Sequence, residues 1–397
     1  MKLRRVAYVC TDPGIPVFGR KGASVHVQAI VRVLRRRGVE VHLICARTGG
    51  EVPADLSDVV VHPLPAVPGG DPAVREVAAQ MTDAAVAGVL DRIAADGEID
   101  LVYERYALWG RTATTWARRH GVRSLVEVNA PLISEQRTHR VLVHEREALE
   151  VARSVVGTAD GVCCVSDGVA DWVRSLVPHA SPVVVPNGVD THRITPAPGP
   201  VTAAQGPLTV GFVGTLKPWH GVEQLLEAVA LLRAHGDDVR CLVVGDGPQA
   251  SALDDLADEL GIQAAVERTG AVAPENIASL LHRMDIAAAP YPGDGPIYFS
   301  PLKLYEYLAA GVPVVASAVG EIPEVLGHGR WGELVPPGDP TALATAIAEL
   351  RSAVERRQQI RDEAPMQARR HDWERVLATS LEVVEAALPV KESADVA

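Results

Sequence analysis

Short runs of β-branched and other apolar residues alternate with stretches in which apolar positions recur every three or four residues, along nearly the whole chain. The first cycle predicts a strand from Val6 to Cys10, a helix from Ser24 to Arg37 and a strand from Val39 to Cys45. Further strands are expected at Asp100 to Tyr106, Ser124 to Val128 and Val162 to Ser166. Helices are expected from Ala73 to Ala95, up to His120, and from Asp167 to Val177. A second series starts with a strand at Leu208 to Val213 and a helix at Val222 to Ala234. Its later strands fall at Val239 to Gly245, Val266 to Gly270, Asp285 to Pro290 and Val312 to Ala316, and helices from Pro340 to about Ala387 complete it. Strands so uniformly apolar have no wet face, which predicts parallel sheets covered by helices on both sides, an α/β fold.

Punctuation divides the series. Glu51 to Gly70 is rich in proline and glycine and reads as loop with strand fragments. The run from Thr195 to Pro207 holds four prolines and two glycines and reads as a linker. The expected division is therefore a first domain over 1–190, a linker over 191–206 and a second domain over 207–372, with a last helix at 373–388 and the final ten residues of the chain frayed. No solenoid-length repeat is visible.

The richest stretch runs from Tyr298 to Ala316. Ser300 is a suitable N-cap, and Pro301 suits the first helical position, where its missing N–H costs nothing. The N–H groups of Leu302 and Lys303 then form an anion-attracting helix start, with the Lys303 ammonium on the same turn. Glu306 follows one turn deeper on the same face, placed to accept the two hydroxyls of a ribose. An ordinary amphipathic helix with a solvated Glu306 is the rival reading.

Other candidates lie where parallel strands end, the usual ligand edge of such sheets. Arg105 and Tyr106 end one strand, and Glu127 and Asn129 end the next; a structural salt bridge for Arg105 and a capping role for Asn129 are the alternatives. The loop from Gly14 to His26 bears glycines, but not in the Gly-x-Gly-x-x-Gly spacing of dinucleotide sites. Gly22 leaves room for close backbone approach to a ligand, and His26 is a ligand contact or a structural histidine. Arg137, His139 and Arg140 follow on a helix with open roles.

Composition narrows the picture. The 397 residues suffice for two cored domains, and the net charge of −12 leaves no global field for nucleic acid. Anions must therefore be held by local features. The five cysteines lack metal-ligand spacing and read as buried free thiols of a cytoplasmic protein. No apolar run is long enough for a membrane span. Arg35, Arg36 and Arg37 complement a helix end, leaving a peripheral membrane contact as the second reading.

Ser-Pro-Leu-Lys-x-x-Glu-Tyr at Ser300 to Tyr307, followed by Ala-Gly-x-Pro-Val-Val-Ala at Ala310 to Ala316, resembles the donor-site helix of family 4 retaining glycosyltransferases. Val183-Val-Val-Pro-Asn-Gly-Val-Asp190 resembles that family's interdomain segment, and Gly214 to Gly221 resembles its phosphate loop. The resemblance implies a GT-B fold of two Rossmann-like domains facing across a cleft. It implies retaining transfer from a nucleoside diphosphate sugar to an acceptor hydroxyl, with no cofactor and no metal. Another GT-B enzyme, such as a sugar-nucleotide epimerase, and a sugar-nucleotide-binding protein without chemistry are the alternatives. Lys217 would offset phosphate charge, with His220 a lesser candidate for that task. Thr215, Gly245, Val272, Ser300, Leu302, Lys303, Glu306 and Gly22 would bind the donor, and His26, Arg105, Tyr106, Asn129 and Tyr298 the substrates. Domain closure would bring Gly22 and Asn129 toward the donor. Tyr298 stands where many members have a first glutamate, and Asn129 where many have a histidine. The last helix is expected to return to the first domain, with Trp373 at the crossing.

Overall fold

The computed structural model describes residues 2–201, 206–293, 298 and 300–387; the ten residues expected to fray lie outside the described residues. The chain groups into two compact units. One contains the chain up to Gly19, Ala23–Pro186 and the segment from Glu374. The other contains Arg20–Gly22 and Asn187–Trp373.

The first unit is built on seven strands: β1 (Arg5–Cys10), β2 (Glu40–Cys45), β3 (Val60–Pro63), β4 (Leu101–Arg105), β5 (Arg123–Val128), β6 (Gly161–Cys164) and β7 (Val183–Val184). Their order is β3-β2-β1-β4-β5-β6-β7, and every pairing is parallel. All five residues of β4 are buried, as a strand covered on both faces requires. The chain runs from β1 to one side through β2 and β3, then returns to the other side at β4. The carboxyl ends of β1 and β4 therefore frame a topological switch point.

One expectation changes here. The helix expected from Ala73 to Ala95 is two helices, Pro72–Ala84 and Val86–Asp96. The break follows Thr82 and Asp83, whose side chains bond outward: Thr82 donates to the Pro65 carbonyl at 3.0 Å, and Asp83 accepts the Arg111 and Thr112 N–H groups at 3.2 and 3.1 Å. The arginines ending the helix Gly22–Arg36 are engaged within their own unit. Arg36 and Arg37 each place Nε 3.1 Å from a Glu374 carboxylate oxygen, and Arg35 pairs with Asp58. They form no unpaired basic patch.

The second unit holds β8 (Leu208–Val213), β9 (Val239–Val244), β10 (Val266–Gly270), β11 (Ile286–Ala289), β12 (Val314–Ser317) and β13 (Gly332–Val335). Their order is β10-β9-β8-β11-β12-β13, again parallel throughout, with the switch point between β8 and β11. The chain joins this unit at Asn187, ahead of the stretch read as a linker. Val189 N–H donates to the His371 carbonyl at 2.8 Å, and Thr191 Oγ1 donates to Asp372 at 2.5 Å, which ties the segment to the end of the same unit. The five cysteines are free and buried. Among the described residues no helix is long and apolar enough to cross a membrane.

Candidate active site

In the second unit the switch point brings the loop after β8 against the helix Leu302–Ala309. Gly214 (φ 152°) and Gly245 (φ 141°) end β8 and β9 so closely that a Cβ on Gly245 would stand 1.9 Å from the Gly214 carbonyl oxygen. A Cβ on Gly214 would stand 3.3 Å from Lys303 Nζ, so glycine is what makes room for that ammonium. Lys303 Nζ lies 4.3 Å from the centre of the Phe212 ring and 5.1 Å from that of Tyr291. It has no hydrogen-bond partner among the described residues. Burial pushes its pKa from 10.5 down to about 7, with Glu306 pulling the other way. A buried cation facing a helix start without an anion is a site built for one.

Ser300 has a different task from the one expected. Its hydroxyl accepts the Asn187 N–H at 3.1 Å and its carbonyl accepts Asn187 Nδ2–H at 2.8 Å, while Pro301 occupies the N-cap position and the helix begins at Leu302. The Pro-Asn-Gly turn at 186–188 thus competes successfully for the serine that the sequence offers as a cap. Glu306 lies one turn in. Burial pushes its carboxyl up to about 7, opposed by Arg193 and then Lys303. Arg193 went unnoticed in the sequence, and only its place three residues after Asp190 in the turn segment could have drawn attention to it.

His220 is also corrected. Burial, together with the Lys303 and Lys217 charges, holds its pKa down at about 3, and Nδ1 lies 2.5 Å from the Thr215 carbonyl. The imidazole is neutral and adds no positive charge to the unliganded site. Lys217 sits half-buried in the same loop, its Nζ 5.3 Å from the Trp219 ring centre. Val272 is half-buried on the core after β10, Tyr298 is half-buried, and Gly22 groups with this unit.

In the first unit the registry opposes Arg105 and Glu127 at the ends of β4 and β5. The buried Glu127 carboxylate accepts Tyr103 Oη–H at 2.7 Å, lies 2.7 Å from His26 Nε2 and 3.4 Å from Arg105 Nη1, and accepts Asn129 Nδ2–H. Burial would raise its pKa, but His26, Arg105 and the Asn129 hydrogen bond hold it at about 2. Four of the residues singled out in the sequence thus converge, and Tyr103, which reads as an apolar strand position, joins them. Asn129 Oδ1 is buried without a partner among the described residues. Tyr106 instead packs its ring 5.9 Å from Trp172, with its hydroxyl buried and without a hydrogen-bond partner among the described residues. On β4 Glu104 is fully buried, with no side-chain hydrogen-bond partner among the described residues; burial and then Asp83 push its pKa up to about 8, against a smaller pull from the Thr114 backbone. Among the described residues no cluster of three metal-ligating side chains occurs.

Two parallel α/β units, each Rossmann-like with a switch point in its sheet, define the class: the GT-B fold. Residues 20–193 match the family described as Glycosyltransferase Family 4, and residues 207–352 match Glycosyl transferases group 1. The chain is 32% identical to a D-inositol 3-phosphate glycosyltransferase of Corynebacterium urealyticum over 69% of its length and 68% of the relative's. It is 31% identical to the protein of the same name from Stackebrandtia nassauensis, over 93% and 88%. A sucrose-phosphate synthase structure from Thermosynechococcus elongatus matches with a TM-score of 0.73 at 20% identity, covering 96% of this chain and 98% of that one. The chain belongs to glycosyltransferase family 4. It is an enzyme of glycosyl transfer from a nucleotide sugar.

Proposed function

We propose that the second unit binds a nucleoside diphosphate sugar with its diphosphate at the start of the helix Leu302–Ala309 and its ribose hydroxyls on Glu306. The observation that carries this reading is Lys303, an ammonium buried beside a helix start with no partner among the described residues. Arrival of the diphosphate restores its charge, and Lys217 on the neighbouring loop adds a second cation. The first unit presents the acceptor through the constellation around Glu127, in which Asn129 Oδ1 is the acceptor atom left for a substrate hydroxyl. Arg105 and His26 are oriented by Glu127 to bind the polar groups of that substrate.

Transfer then needs no enzyme nucleophile. The acceptor oxygen bonds to the anomeric carbon on the face from which the phosphate leaves, and the acceptor proton passes to the departing phosphate oxygen. The anomeric configuration is retained. Lys217, Lys303 and the helix N–H groups stabilise the charge that builds on the leaving diphosphate, the role a metal plays elsewhere.

The test is acceptor-dependent release of nucleoside diphosphate from a panel of nucleotide sugars. D-inositol 3-phosphate, the acceptor in the curated relatives' names, heads the acceptor panel. Turnover should persist in EDTA, and NMR of the product should show the donor's anomeric configuration. Inverted product, or activity lost to EDTA and restored by magnesium, overturns the mechanism.

A further inference from the structure

Trp219 stands on a turn that decides which of its neighbours faces in. Pro218–His220 forms a 3₁₀ turn, closed by His220 N–H to the Lys217 carbonyl at 3.0 Å and by Gly221 N–H to the Pro218 carbonyl at 3.2 Å. Gly221 ends it at φ 61°, where a Cβ would stand 1.8 Å from the Pro290 carbonyl oxygen. The other arm of the loop is tied down by Leu216 N–H, which donates to the Asp246 carbonyl at 3.0 Å. Within this frame His220 packs inward, its ring centre 5.9 Å from that of Phe212 and 6.0 Å from that of Tyr291. Trp219 turns outward and is 44% exposed.

The outward ring has a cation on it. Lys217 Nζ lies 5.3 Å from its centre, and among the described residues the Lys217 side chain makes no hydrogen bond and no ion pair. The second ammonium of the site is seated in the same manner, Lys303 Nζ lying over the rings of Phe212 and Tyr291. A ring face restrains a cation through its quadrupole and occupies none of the three N–H donors of a lysine. A carboxylate in the same place would take up those donors and compete with a diphosphate for them. With no restraint, the four-carbon stem of lysine leaves the charge mobile, and a charge stabilises a leaving group best when it is in place beforehand.

We propose that Trp219 is the positioning residue of Lys217: its indole face holds the ammonium in place with every donor open, so that the charge meets the departing phosphate without first being ordered. This rests on the role given to Lys217 above. Trp219 acts only through that lysine. Its contribution therefore belongs to kcat, requires a ring face rather than apolar bulk, and disappears when Lys217 is absent.

The experiment follows release of nucleoside diphosphate by the full chain from UDP-glucose, ADP-glucose and GDP-mannose, with water and with the acceptor named above, beside calorimetric Kd values for UDP, ADP and GDP. Trp219→Leu, which keeps apolar bulk and removes the ring face, should lower kcat about 5-fold, the size of one partly exposed cation–ring contact, with Kd unchanged. Trp219→Phe should keep most of the rate. In a Lys217→Ala background Trp219→Leu should cost nothing further, since the ring then has no cation to hold. Equal losses from Trp219→Leu in both backgrounds, or a Trp219→Phe protein as slow as Trp219→Leu, overturn the proposal in favour of a packing role. A raised KM or Kd in both backgrounds overturns it in favour of a ring that touches substrate directly. The two layers separate cleanly: if Lys217→Ala turns over like wild type, the role of Lys217 itself is wrong; if Lys217→Ala is slow while Trp219→Leu is not, only the role of Trp219 falls.

Discussion

Lys303 carries a charge into a site where only 8% of the residue is exposed, and the unliganded enzyme is less stable for it. The fall of its pKa from 10.5 to about 7, caused by burial, corresponds to ~5 kcal/mol at ~1.4 kcal/mol per pH unit. The rings of Phe212 and Tyr291 return about 1–2 kcal/mol through their negative faces. Lys303→Met, which keeps the length and removes the charge, should therefore stabilise the ligand-free protein by ~3 kcal/mol. At ~2–4 °C per kcal/mol for a unit of this size, its melting transition should rise by about 6–12 °C at pH 7. The sign with pH follows from an amine whose folded value lies below its unfolded one. Above 10.5 neither state is charged and the variant gains nothing. As pH falls toward 7 only the unfolded state takes up the proton, and the advantage grows; below 7 both states are charged and it levels off. Thermal unfolding at pH 7 to 9.5, with and without nucleoside diphosphate, is the assay. Nucleotide at 100 times its Kd should add ~2.7 kcal/mol to the wild type and nothing to the variant at the same concentration. A ligand-free Lys303→Met protein no more stable than wild type at pH 7 refutes the reasoning.

Three further outcomes are expected. Glu104→Gln should also stabilise, since the wild-type acid is held protonated up to about 8 when folded against an ordinary 4.5; the folded state is penalised increasingly as pH climbs between those values, and the gain should reach ~2–4 kcal/mol by pH 8, read from urea midpoints. Glu127→Gln should act in the opposite direction, costing ~3–5 kcal/mol by stripping His26 and Arg105 of their carboxylate. Because Glu127 titrates at about 2 when folded, the stability it contributes is present above pH 4.5 and lost as pH falls toward 2; acceptor-dependent turnover should drop with nucleotide Kd unchanged. Lys217→Ala should lower kcat by ~10²-fold while leaving nucleotide Kd nearly intact, and a variant with shifted Kd but normal kcat contradicts a transition-state role.

Parallel strands were legible in the sequence because burial on both faces demands an unbroken apolar run, as in Val6 to Cys10 and Ile286 to Ala289. The helix Leu302–Ala309 was legible from its apolar spacing, which also placed Lys303 and Glu306 on it. Ser300 was misread because cap preference is a local rule, whereas its hydroxyl and carbonyl are taken by a residue 113 positions away. The positive charge offered by His220 was cancelled by neighbours that periodicity does not reveal, above all the depth of its burial. The Glu127 constellation was half visible: strand ends pointed to Arg105, Glu127 and Asn129, but the approach of His26 and Tyr103 depends on sheet order. Glu104 looked like one more strand residue, since a pleat alone does not tell which carboxylate will be left without a donor.

The contact between Gly214 and Gly245 binds the fates of two neighbouring loops. With a carbonyl filling the space where a side chain would begin, neither turn can lengthen, shorten or gain bulk without displacing the other and the ammonium behind it. Diversification of this scaffold toward new sugars is therefore best confined to rims elsewhere, and randomised libraries should leave positions 214 and 245 untouched.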